Sequence, residues 1–227
     1  MARPTVVVVT GLLAEARAVG LPLDRTIAGG ADPVRLEAEL GRALSEGAQA
    51  VLSFGLAAGL QEGRGPGTLV IPVEIVSGDE HYPTDPRWSA QMRAAVGEGD
   101  SQPIVGVDAP LLRPADKSQL HRTTGAIAAD MESHRVARLA QRAGRPFAAL
   151  RVISDPAERS LPPAAAIGMK PDGSVNALAV LLSLLHEPGQ LPDLMRVAVE
   201  ARTAMRVLRR CRRALGPELG WTPRAPA

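Results

Sequence analysis

The run TVVVVT at residues 5–10 sets four consecutive valines between two threonines. A strand turns alternate side chains to opposite faces, so a run that is apolar at every position needs cover on both sides. Sheets held between layers of helices supply that cover. AVLSF (50–54), TLVIPVEIV (68–76), PIVGV (103–107) and FAALRVIS (147–154) read the same way. Amphipathic stretches at 32–46, 86–96, 114–122 and 130–143 lie between them. The alternation predicts an α/β domain with a central, largely parallel sheet. A chain of 227 residues accommodates one such domain, expected over residues 1–215. The Pro-rich LPPAAAIGMKPDG (161–173) reads as a surface excursion leading to closing helices at about 174–186 and 190–215, and GPELGWTPRAPA (216–227) as a mobile tail.

Composition removes several function classes. The single cysteine, Cys211, forms no internal disulfide, and His81, His121, His134 and His186 are scattered, so no zinc cluster is expected. No apolar run approaches the roughly 18 residues of a membrane span. TVVVVTG is too short for a secretory signal, which points to the cytoplasm. Aromatic residues make up 2% of the chain, leaving little for base stacking on exposed rings, so no nucleic-acid partner is expected. Charge is uneven: Arg196, Arg202, Arg206, Arg209, Arg210, Arg212 and Arg213 crowd the last helix. Leu194, Val197, Ala201, Met205, Leu208 and Leu215 form one stripe there, as in a surface helix packed on its domain. A second reading is a basic amphipathic segment leaning on an anionic bilayer, giving peripheral contact at the inner membrane surface.

In parallel sheets ligands gather beyond the carboxyl ends of the strands. Three such ends are informative: GLLAEAR after 5–10, GLAAGL after 50–54, and SDPAERS after 147–153. They bring Glu15, a glycine-containing loop and Asp155 to one edge. Near the same rim AADMESH (128–134) opens a helix in which Glu132 precedes Val136, Leu139 and Ala143 at helical spacing, opposite Arg135, Arg138, Arg142 and Arg145. Glu132 therefore points inward, toward a cleft. Each acid also has a structural reading. Asp155 before Pro156 suits a turn. Glu132 could pair with a buried Arg151. Glu15 suits a first helical turn, and Asp130 an N-cap. FGLAAGL lacks both the dinucleotide fingerprint and the P-loop spacing. His134, Trp88 and Cys211 read as packing or surface residues.

Taken together, GLLAEAR, SFGLAAGL, ADMESH and PFAALRVISD resemble the successive motifs of the purine nucleoside phosphorylase and methylthioadenosine/S-adenosylhomocysteine nucleosidase superfamily, in order, across most of residues 5–156. SFGLAAGL, VDAPLLRPADKSQLH, DMESHRVARLA and LPPAAAIGMKPDGS…PGQLPDL are similar to the hopanoid-associated group, the adenosylhopane nucleosidases. The resemblance implies a three-layer αβα fold with a mixed, largely parallel sheet, a homo-oligomer, and cleavage of a purine N-glycosidic bond. It implies no cofactor, with phosphate as a candidate co-substrate. By position, Glu132 with Met131 matches the ribose-binding site, Asp155 the acid that protonates the purine at N7, and Glu15 the glutamate that activates water. Ser154 and Arg151 flank the acid as supporting residues.

Two departures stand out. The loop that would hold water or phosphate reads Gly55, Leu56, Ala57, Ala58 and Gly59, with Leu56 in place of a serine and Ala58 in place of a glycine. Pro110 and Leu111 occupy the region where an aromatic ring would stack on the purine.

The chemistry suits such a reaction. Breaking a ribosyl C1′–N9 bond builds positive charge on the sugar and negative charge on the base, which calls for a carboxylate near the ribose and a proton donor near the purine. Glu132 and Asp155 fit those tasks, and Glu15 fits the base that activates water. The presence of Glu15 and the altered loop favour water over phosphate as nucleophile. Release of adenine from adenosylhopane, giving ribosylhopane or its phosphorylated counterpart, is the expected activity. The alternatives are a small soluble nucleoside such as methylthioadenosine, or a basic binding module without catalysis.

Overall fold

A computed structural model describes residues 6–22, 25–30, 32–97, 99–162, 174, 183 and 187–223. The central sheet begins with β1 (Val6–Thr10), β2 (Thr26–Ala28) and β3 (Ala50–Gly59). It continues with β4 (Leu69–Val70), β5 (Glu74–Ser77), β6 (Glu80–Pro83), β7 (Ile104–Gly106), β8 (Ala128–Asp130) and β9 (Phe147–Asp155). The path β2-β1-β3-β8-β7-β5-β6 is joined by β9, which pairs with β3 on one side and β4 on the other. Pairing is largely parallel; β8 on β3, β4 on β9 and β6 on β5 run antiparallel.

The valine run behaves as its pattern demands. Val7 and Val9 enter one core with Leu36, Leu40 and Leu44 of α2 (Pro33–Ser45) and Val136, Ala137 and Ala140 of α5 (Ser133–Arg142). Val6 and Val8 enter the opposite core with Val19 of α1 (Leu13–Val19), Trp88 and Met92 of α3 (Pro86–Val96), and Ala204, Leu208 and Cys211 of α6 (Leu191–Ala214). A third cluster under α4 (Pro114–Thr124) includes Val105, Ala129 and Leu120. Helices thus cover both faces of a mixed sheet, the αβα arrangement expected. Asp32 and Asp85 cap α2 and α3 by accepting the N–H of Arg35 and Trp88, and a proline follows each cap in the first turn.

Several expectations need correction. The stretch 68–76 is two strands, because Pro72 lacks the donor to continue a ladder; β4 joins β9 while β5 joins β7. The segment 55–59 is not a loop but the second half of β3, paired with β9 through Ala58 and with β8 at Ala58 and Gly59. AADMESH does not open a helix at its first residue: Ala128–Asp130 is β8, and α5 starts at Ser133. A three-residue strand leaves too little pattern to be seen beside a helix. Residues 216–221 are not a free tail. Leu219 and Trp221 are buried in the α3/α6 core, and Trp88 Nε1 donates to the Leu219 carbonyl at 2.9 Å. Burying an indole and satisfying its N–H outweighs the Gly and Pro content that reads as tail. The expected helix at 174–186 and most of the 161–173 excursion lie outside the described residues.

Candidate active site

The site arises from a gap along one edge of β3. β1 pairs with β3 from Ala50 to Ser53, and β8 takes the same edge only at Ala58 and Gly59. β8 runs opposite to β1, so the carboxyl ends of the two strands face each other across Phe54–Ala57. The turns that leave them, Gly11–Leu12 and Met131–Glu132, converge on that gap.

Glu15, 2% exposed, fills one side of the gap. Its Oε2 accepts the N–H groups of Gly11 and Leu12 and its Oε1 accepts that of Leu56, each at 2.8 Å. The first-turn reading holds, and the same carboxylate that caps α1 also pins the unpaired edge of β3. Burial pushes its pKa above the ordinary carboxylate value, opposed by the Arg151 charge and the three backbone donors.

Glu132 stands opposite, and a Cβ on Gly11 would lie 2.8 Å from its Oε1, so glycine is what lets the carboxylate reach β1. It sits in the turn before α5 rather than on the helix, so its inward direction comes from the β8–α5 turn and not from helical periodicity. Burial, with Asp130 and Glu15 adding to it, pushes its pKa up to about 8, against the Arg151 charge.

Arg151, fully buried, lies beneath these acids. Its side chain crosses Gly55, where a Cβ would come within 2.6 Å of the guanidinium. Its closest acid is Asp130, 2.7 Å from Nε, whereas Glu132 is 3.7 Å from Nη2. Nη2 also donates to Ser53 Oγ at 2.6 Å and Ser133 Oγ at 3.1 Å. The Glu132–Arg151 pairing is thus a secondary contact. Asp130 is more than a cap: Oδ1 accepts the N–H of Glu132 and Ser133, while Oδ2 holds Arg151.

Asp155 ends β9 on the far wall. Ser154 Oγ donates to its Oδ1 at 2.8 Å, and Lys117 Nζ donates to its Oδ2 at 2.6 Å. Lys117 is 0% exposed and also donates to the carbonyls of Pro156 at 3.0 Å and Arg159 at 3.1 Å. All three ammonium protons are thereby placed. Burial raises the Asp155 pKa, and Lys117 opposes the rise.

A cavity of about 290 Å³ unites these groups. Glu15, Met131, Glu132, Ser154, Asp155, Pro110, Leu111, Ala57 and Ala58 line it, joined by Leu56, Asp130 and, from α6, Val197 and Ala201. Arg151, Gly55 and Gly59 do not line it; they act from behind. Gly59 passes close under Ile153, where a Cβ would approach to 3.1 Å. Among the described residues no His, Cys, Asp and Glu cluster has metal-holding geometry.

Lys117 escaped the sequence reading, because a lysine on a polar helix reads as solvent-facing. One signal was available: the chain has two lysines, Lys117 and Lys170, among 26 basic residues. A compact ammonium with three donors suits the three acceptors gathered at Lys117.

The fold is shared with solved structures of low sequence identity. The S-adenosylhomocysteine nucleosidase of Streptococcus pyogenes, in complex with 5-methylthiotubericidin, aligns with 93% of this chain and 97% of its own at 15% identity and TM-score 0.62. The nucleosidase of Helicobacter pylori with 5′-methylthioadenosine in its active site aligns over 90% and 96% at 15% identity and TM-score 0.61. The futalosine hydrolase of Helicobacter pylori aligns over 91% and 96%, again at 15% identity, with TM-score 0.60. No curated protein matches the chain by sequence. The family model described as the phosphorylase superfamily matches residues 5–186, and the chain therefore belongs to that superfamily.

Proposed function

We propose that the protein hydrolyses the N-glycosidic bond of an adenine nucleoside bearing an apolar 5′ group, releasing adenine, with adenosylhopane as substrate and ribosylhopane as product. The observation that carries this reading is the meeting of Glu15, Glu132 and Asp155 in one cavity. Glu132 holds the ribose hydroxyls, and with Glu15 it stabilises the positive charge that grows on the sugar as the bond breaks. Asp155 gives its proton to the departing purine, and Lys117 stabilises the carboxylate left behind. Glu15 orients and deprotonates the attacking water.

Water is favoured over phosphate for an electrostatic reason. The amides of Gly11, Leu12 and Leu56, which could cradle an anion, are already taken by the Glu15 carboxylate. An entering phosphate would also meet Glu15, Asp130 and Glu132 with Arg151 as the nearby counter-charge, itself bound to Asp130.

The cavity sits at the low end of the range for ligand pockets, roughly 300 Å³ and up, so it suits a nucleoside but not a polycyclic hydrocarbon as well. The hydrocarbon leaves past the apolar wall of Leu111, Leu161, Val197 and Ala201. The same apolar wall also fits a small substituent, so methylthioadenosine is the second reading. Incubation of the purified protein with adenosylhopane and with methylthioadenosine, each with and without phosphate, separates them. The reading expects faster adenine release from the lipid nucleoside and no phosphate requirement. Equal or preferred cleavage of methylthioadenosine replaces the substrate, and phosphate dependence replaces the nucleophile.

A further inference from the structure

α6 carries two different faces. Ala204, Leu208 and Cys211 are buried against the domain, and Val197 and Ala201 face the cavity. The outward face is divided along its length. Leu191, Met195 and Val199 are 49%, 62% and 59% exposed, an unusual degree of exposure for large apolar side chains spaced at four-residue intervals. Continuing along the same stripe come Arg202, Arg206, Arg209 and Arg213, all exposed. At about 100° per residue these seven side chains fall within a sector of roughly 80°.

The acids of α6 lie elsewhere. Glu200 is held by Arg159 at 2.7 Å, and Asp193 lies 3.6 Å from Arg196, outside that sector. The outward stripe therefore presents an apolar end and a basic remainder with no acid between them. The apolar end occupies the same turns that wall the cavity. No described helix is long and apolar enough to cross a membrane.

We propose that this stripe docks the protein on an anionic lipid bilayer, with Leu191, Met195 and Val199 entering the headgroup layer and Arg202, Arg206, Arg209 and Arg213 lying over the lipid phosphates. Apolar side chains gain by leaving water at the acyl boundary, and arginines gain from the negative surface potential. Segregation along the axis tilts the helix, apolar end deepest. A protein partner or a second copy would need acidic groups opposite four arginines as well as an apolar socket. An anionic bilayer offers both everywhere on its surface.

The test is co-sedimentation of the full-length protein with phosphatidylcholine vesicles, with and without phosphatidylglycerol. Binding is expected only to the anionic vesicles and is expected to be lost at about 1 M salt, where screening acts within about 3 Å. Arg202→Gln, Arg206→Gln and Arg209→Gln combined should weaken binding on the order of 100-fold. Leu191→Ser, Met195→Ser and Val199→Ser combined should also weaken it. Circular dichroism and cleavage of a soluble nucleoside should be unchanged in both variants. Absence of binding to anionic vesicles, equal binding to the neutral ones, or unchanged binding by the variants overturns the proposal. So does concentration-dependent dimerisation of the wild type that the serine variant abolishes, because the stripe is then a contact between copies. A wild type that binds vesicles yet cleaves no nucleoside defeats the enzymatic reading and leaves the docking intact.

Discussion

Replacing Lys117 with methionine keeps an unbranched stem and deletes the charge beside Asp155. At the 2.6 Å separation of Nζ and Oδ2, and with an effective dielectric of about 20, the attraction lost is about 6 kcal/mol. The lysine's own desolvation penalty disappears with it, so the net cost is about 3–5 kcal/mol, the range for removing one partner of a buried pair. That cost depends on pH in a defined direction. Burial already raises the Asp155 pKa against the pull of Lys117, and without the lysine it rises further. A carboxyl with a raised folded-state pKa favours the folded state at low pH, and that contribution is lost as pH rises through the folded value. The deficit of Lys117→Met should therefore be smaller at low pH and grow as pH rises in denaturant titrations. Catalysis adds a second signature. The variant should lose kcat, its basic limb should move to higher pH, and a nitrophenyl riboside, whose leaving group needs no proton, should be spared. A deficit equal at every pH, together with an unmoved basic limb, would refute the assignment of Asp155 as the donor and of Lys117 as its partner.

Other perturbations address the remaining parts. With the Glu132 pKa near 8, stability should decline as pH rises from about 4.5 through about 8, and Glu132→Gln should flatten that slope in thermal melts. Gly55→Ala inserts a methyl 2.6 Å from the Arg151 guanidinium and 2.8 Å from both Glu15 oxygens, and should cost about 1–3 kcal/mol along with most activity. Gly11→Ala meets only the movable end of Glu132, so activity should fall roughly 100-fold while the melting temperature changes little. Trp221→Ala, which empties the pocket beside Trp88, should destabilise by about 3–5 kcal/mol with kcat unchanged in a nucleoside-cleavage assay.

What the sequence disclosed follows from where its signals are local. Runs buried on both faces, such as Val6–Val9 and Phe147–Ile153, need no knowledge of their neighbours, and both are strands. α3 and α6 carry caps, prolines or long stripes and emerged within a residue or two of their bounds. Glu15 and Asp155 stood out as acids at apolar strand ends and Glu132 through a helical stripe, although its direction comes from the β8–α5 turn; all three line one cavity. Lys117 was missed, and Asp130 was not seen as the closer partner of Arg151, because these contacts are non-local. Each joins partners 21–38 residues apart, as in Lys117–Asp155 and Arg151–Asp130. The continuation of β3 through Gly55–Gly59 was hidden likewise, since glycine and alanine carry little strand signal. There the ladder with β9 and the pinning of Leu56 by Glu15 outweigh propensity.

The central claim is that three carboxyl groups around one sugar direct water to its anomeric carbon while adenine departs protonated. The most direct test is to run the reaction in water enriched in heavy oxygen, with phosphate present, and to weigh the sugar product by mass spectrometry. The account predicts one heavy oxygen at the anomeric position in the wild type, and no adenine release by Asp155→Asn. A sugar 1-phosphate without label, or wild-type turnover by Asp155→Asn, would contradict it.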